Sequence, residues 1–205
     1  MRVYGFLFMS RVTLNDAITW KWTKTTDCNY VNITLMTKDN RAFKGTTHIQ
    51  LNHIDFGNAR EAAFTENDAF LYNEFKKSIG DFNYSEQDKL LMAIDATCLA
   101  RFHKKLTVVD NYFKPVNKAR KAIVGEVVSI VTVNQNSSNK CVSGNFLVVE
   151  KDDESQTCYL MLLNKELQIG KGQYWKYSTL VKVGYDKIIP MSVINTELIK
   201  TLNIA

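Results

Sequence analysis

The order of apolar periods along the chain predicts an α+β fold, with antiparallel strands, two central helices segregated to one side and a C-terminal β-rich half. Three observations lead there. Residues 30–36 alternate apolar Val31, Ile33 and Leu35 with polar Asn32 and Thr34, the period of a half-buried strand. Residues 58–102 change to helical spacing. Residues 123–133 then concentrate Val and Ile, as a buried strand does. The chain has 205 residues, 45% hydrophobic and 23% charged, which is ordinary globular composition with enough length for a sizeable core.

Residues 1–9, with one basic residue and a short apolar stretch, are expected to make a first strand, the alternative being that Met9 is the real start. That stretch is shorter than the apolar region of a signal peptide, and no run approaches the ~20 apolar residues that span a bilayer. Alternation in Trp20-Lys21-Trp22 sends both tryptophans to one side, as core residues. Residues 38–41 (Lys-Asp-Asn-Arg) supply turn chemistry before a strand through 48–51.

The first helix is expected over 58–79. Asn58 would cap it, Glu61 would follow three residues on, and Phe64, Leu71 and Phe75 would share a face until Gly80. The second helix begins at Ser85, with Asp88 three positions later and a stripe of Leu91, Ile94, Cys98 and Phe102. Beyond 106 the chain turns to strands: 123–133, then 145–149 and 158–163 around an acidic turn, then 180–185. Residues 134–139 form a loop, and a short helix over 195–202 closes the chain. The seam near 105–120 divides an N-terminal β-β-α-α portion, 1–105, from a C-terminal β-rich portion, 106–205, or else lies inside a single domain, 1–205.

Charge is concentrated. The net charge is +5, but residues 101–121 alone carry +6 and the rest of the chain −1. Arg101, Lys104, Lys105, Lys118, Arg120 and Lys121 are interleaved there with Phe102, Tyr112 and Phe113. Cations of this density neutralise phosphates, and exposed aromatic faces stack on unpaired bases. A second mixture, Lys171, Tyr174, Trp175, Lys176 and Tyr177 flanked by Gly170 and Gly172, reads as an exposed stacking loop or as a core plug at a sheet end. The candidate nucleic-acid contacts are therefore Arg101, Lys104, Lys105, Tyr112, Phe113, Lys118, Arg120, Lys121, Lys171, Tyr174 and Lys176.

Catalytic patterns are missing from the sequence. His48 and His53 lie at an odd spacing that sends them to opposite faces of a strand, and His103 belongs to the basic segment. Gly170-Lys171-Gly172 lacks the frame of a phosphate-binding loop, and Val142-Ser143-Gly144 lacks the first glycine of a nucleophile elbow. Residues 150–154 hold four carboxylates, the oxygen chemistry hard cations take, but read as a hairpin loop carrying charge to water. Cys28, Cys98, Cys141 and Cys158 are dispersed, with no C-x-x-C pair, as in a cytoplasmic protein. No catalytic, cofactor-binding or metal-ligating residue is assigned.

One stretch, Gly57-Asn58-Ala59-Arg60-Glu61-Ala62-Ala63 after Ile54-Asp55, resembles the glycine-arginine-alanine box of the ParB/sulfiredoxin-like nucleotide-binding fold. Phe56 stands between Asp55 and Gly57, where that family usually places them adjacent. The resemblance implies a helix whose first turn, with Arg60, faces a phosphate.

The expected function is a non-enzymatic nucleic-acid-binding or accessory protein, its partner single- or double-stranded. The alternative is a small protein-binding inhibitor or antagonist module acting on another macromolecule, with Tyr and Trp as interface anchors. A third reading is a nucleotide-using enzyme working through residues 57–63.

Overall fold

The computed structural model describes residues 17–24, 30–37, 42–57, 61–116, 120–132, 142–170 and 172–191. The expected strand at 1–9, turn at 38–41, loop at 134–139 and helix at 195–202 lie outside them. Two helices and many antiparallel strands confirm the α+β class.

Strands β1 (Ala17–Lys24), β2 (Tyr30–Thr37) and β3 (Ala42–Gln50) run antiparallel, and β4 (Glu61–Ala63) closes the sheet in the order β3-β2-β1-β4. Helix α1 (Glu66–Gly80) follows, then α2 (Glu86–Phe102). A five-stranded sheet, in the order β10-β7-β6-β5-β11, takes the rest: β5 (Val127–Val131), β6 (Ser143–Asp152), β7 (Thr157–Leu162), β10 (Leu180–Gly184) and β11 (Ile189–Pro190). A separate hairpin pairs β8 (Glu166–Gly170) with β9 (Gln173–Lys176).

The expected helix over 58–79 is corrected at its start. Glu61–Ala63 pairs with β1, Thr19 opposite Ala63 and Lys21 opposite Glu61. The helix starts after Thr65, whose hydroxyl accepts the Asp68 N–H at 3.2 Å while the Asp68 carboxylate accepts the Thr65 N–H at 2.8 Å. This reciprocal cap satisfies orphan donors on both sides of the boundary, so it outcompetes Asn58 with Glu61. No helix begins in residues 61–63, which removes the anion-facing turn implied by the resemblance to the nucleotide-binding fold. Asn58 and Arg60 lie outside the described residues. The second helix starts as expected, at Ser85, whose hydroxyl accepts the Asp88 N–H at 3.1 Å.

Two cores share the five-stranded sheet. Leu147, Val149, Tyr159, Met161 and Leu163 face the helices, Trp20, Leu35 and Ile49. The alternate residues Phe146, Val148, Cys158, Leu160 and Leu162 face Leu167, Ile169 and Phe113 on the other side. Period-two alternation on strands covered on both faces explains why these segments read as unbroken apolar runs. Helix α2 lies between the sheets, and Met92 through Leu99 are all buried. Fully burying a large apolar side chain such as Ile94 or Leu99 contributes about 1.5–3 kcal/mol, far more than helix propensity, so packing holds this helix in place.

Candidate functional site

Among the described residues of the basic segment, two cations are paired with carboxylates. Arg101 is spent on the α1 cap: its Nη1 donates to both Asp68 carboxylate oxygens, at 3.2 and 3.1 Å, and to Thr65 Oγ1 at 3.1 Å. Asp68 is buried and also accepts Trp20 Nε1 at 3.1 Å, so Arg101 neutralises a carboxylate that the core has desolvated. Arg120 forms an ion pair with Glu126. Phe113 is buried against Trp175, ring centroids 5.5 Å apart, and Tyr112 packs half-buried on the same indole. Phe102 lies among Trp20, Trp22 and Phe56. Lys104, Lys105 and Lys121 are exposed, while Lys118 and Lys171 lie outside the described residues. The cationic excess is thus partly neutralised and its aromatic partners are core residues, which corrects the expected stacking surface at Tyr112 and Phe113.

The second mixture is not a loop but strand β9. Trp175 turns into the second core, the plug of the two readings considered, while Tyr174 stays 51% exposed. Gly172 holds the hairpin turn at φ +70, a conformation other residues adopt only with strain.

A cleft of about 480 Å³ lies beside β9. Tyr174, Trp175, Lys176 and Thr179 form one wall, and Gln50, Asn52 and His53 form the other. The second wall is the chain leaving β3 through a short 3-10 turn, Leu51–His53. That turn is fastened to the end of α2, because Lys104 N–H donates to the His53 carbonyl and Asp55 N–H to the Phe102 carbonyl, at 2.9 and 2.8 Å. Burial, aided by the Lys104 charge, pushes the His53 imidazole below its usual range.

A polar cluster braces the first wall. Ser178 has φ 64 and donates from Oγ to the His48 carbonyl at 2.6 Å. Tyr177 donates from its hydroxyl to Asp95 Oδ2 at 3.0 Å, and His48 Nδ1 lies 3.8 Å from the same oxygen. Asp95 is buried on α2, and burial raises its pKa against the pull of His48 and Tyr177. The Asp95 carboxylate in turn raises His48, against partial burial. His48, Asp95 and Tyr177 thereby tie β3, α2 and the end of β9 together.

The acidic residues 150–154 act structurally. Glu150 meets His103 at 2.6 Å, Lys151 meets Asp153 at 2.8 Å, and Asp152 accepts the Ser155 hydroxyl at 2.6 Å. Of the expected contacts among the described residues, the structure brings Tyr174 and Lys176 to the cleft and leaves the others elsewhere. Sequence reasoning missed Gln50, Asn52 and Thr179, whose placement depends on tertiary contacts that carry no local signal.

No family model matches the chain. Among known proteins, it is similar to a protein from Aliivibrio salmonicida (strain LFI1238) described as cell division protein ZapC, 24% identical over 137 residues that cover 67% of this chain and 72% of that protein. A protein of the same description from Tolumonas auensis (strain DSM 9187 / NBRC 110442 / TA 4) is 20% identical over 137 residues, covering 64% of this chain and 72% of its own length. Among the described residues no helix is long and apolar enough to cross a membrane. The similarity to cell division proteins overturns the nucleic-acid reading and, with Arg101 and Arg120 paired to carboxylates, favours the protein-binding alternative.

Proposed function

We propose that the chain is a non-enzymatic, cytoplasmic accessory protein that binds another protein of the cell-division apparatus through the cleft between β3 and β9. The observation that carries this reading is the lining of the cleft: an exposed Tyr174 and an exposed Lys176 mounted on a strand whose intervening Trp175 is anchored in the core. A tyrosine on a rigid backing offers a large contact area at little entropic cost, which is what interface anchors supply. The similarity to proteins named for cell division supports the choice of partner class.

Cross-linking tests it. A photo-reactive amino acid at Asn52, on the opposite wall, should give on irradiation of dividing cells an adduct that mass spectrometry identifies as a division protein. Tyr174→Ala combined with Lys176→Glu should abolish that adduct while leaving the melting temperature within a few degrees, because both side chains are exposed. An adduct that persists in the double variant, or no adduct at all, refutes the cleft as the contact.

A further inference from the structure

We infer that the cleft receives an extended, acidic polypeptide segment that adds to β9 as a further strand, an inference that rests on the protein-binding reading above. The main chain of β9 is the first ground. Leu167 stands opposite Trp175 and Gln168 opposite Tyr174 in the hairpin. Tyr177 N–H donates to the Lys165 carbonyl at 2.9 Å, which makes that residue pair a hydrogen-bonded one. Hydrogen-bonded pairs alternate along an antiparallel ladder, so Trp175 turns its N–H and C=O toward β8, while Tyr174 and Lys176 turn theirs away. Thr179 N–H takes the Lys176 carbonyl at 3.0 Å. Among the described residues, no hydrogen bond takes up the Tyr174 N–H and C=O or the Lys176 N–H. The cleft lies along this free side, since β8 contributes no residue to its lining. A row of main-chain donors and acceptors facing a cleft matches the main chain of another segment.

Charge is the second ground. Among the described residues the lining contains no carboxylate, and Lys176 stands exposed at its rim. Lys104, bonded through its backbone to His53, adds positive charge behind the opposite wall, and burial together with that charge lowers the His53 pKa. Carboxylates on the incoming segment would meet Lys176, with Lys104 adding to the field at longer range, and an apolar or aromatic side chain on the same segment would lie against the Tyr174 ring.

Selection from a random peptide library displayed on phage, using the full chain as bait, supplies the test. Expected are acidic peptides that lose at least about tenfold in affinity when methylated on alternate backbone nitrogens, since each lost main-chain hydrogen bond removes a several-fold factor. The same peptides should lose binding to Tyr174→Ala with Lys176→Glu. Peptides that tolerate methylation in both alternate registers, that are neutral or basic, that adopt helices when bound, or that bind the double variant equally overturn the strand-addition proposal, as does a selection that enriches nothing. If the Asn52 adduct forms in cells while the peptide test fails, only the mode of recognition falls. If the adduct fails as well, the protein-binding reading falls with it.

Discussion

His48 and His53 sit at the two ends of one short stretch and are pushed in opposite directions from the usual 6.5, His48 upward by Asp95 and His53 downward by burial and Lys104. A histidine raised by folding stabilises the fold fully below its unfolded pKa, and that contribution drains away as pH rises through the folded value. A histidine lowered by folding does the reverse, costing stability as pH falls below the unfolded value. The two effects meet at 6.5, so the urea midpoint is expected to peak near there, falling toward alkali because of His48 and toward acid because of His53. His48→Gln should flatten the alkaline arm and leave the acid arm in place. A profile without a maximum would show that the two rings are not coupled to folding in this way, and one unchanged by that substitution would clear His48 alone.

Among the elements, the hairpin of β8 and β9 is seated by a close approach. Gly144 lies on β6 opposite Ile130, and a Cβ there would stand 2.7 Å from Leu167 Cδ2 and 3.0 Å from Phe146 Cε2. Both neighbours are buried and have no free space to swing into. Gly144→Ala should therefore cost about 1–3 kcal/mol, read from the denaturation midpoint. Combining it with Leu167→Val should cost less than the sum of the two single changes. Equal additivity would show that the two residues do not press on one another.

The same hairpin marks where the sequence was legible and where it was not. Helix α2 could be read because Ser85, Asp88 and the stripe through Cys98 are local signals. The strand at 30–36 and the inward pair Trp20 and Trp22 follow from a period of two. Glu61–Ala63 could not be read, because Glu-Ala-Ala carries helix formers and no alternation, and only pairing with β1, about forty residues earlier, makes it a strand. Leu167 and Ile169 do alternate with Glu166 and Gln168, so the missed β8 had a signal that the neighbouring aromatics and lysines obscured. The excess of cations in 101–121 was real, but its meaning depended on Asp68, 33 positions from Arg101. The cleft joins residues more than a hundred positions apart, and no periodicity announces such a meeting.

For the whole molecule, the sharing of one core across the sequence seam has an energetic consequence. Trp20, Phe75, Leu99 and Leu147 belong to a single buried cluster, so residues 106–205 on their own would leave that face of β6 and β7 open to water. Thermal unfolding followed by tryptophan fluorescence and by far-ultraviolet circular dichroism is expected to give coincident transitions. Two separated transitions would instead divide the chain near 105–120.

Apolar side chains on both faces of β6 and β7 mean that solvent does not dictate the alignment of these strands. On a sheet with one wet face, a slip by one residue exposes oil and buries charge, and is punished at once. Here the slip would only exchange one greasy surface for another. Alignment must then be enforced by shape, by the irregularity between Val148 and Glu150 and by the gap that Gly144 leaves for Leu167. Enlarging residue 144 should thus do more than strain a contact: it should loosen the choice of partner along the whole ladder.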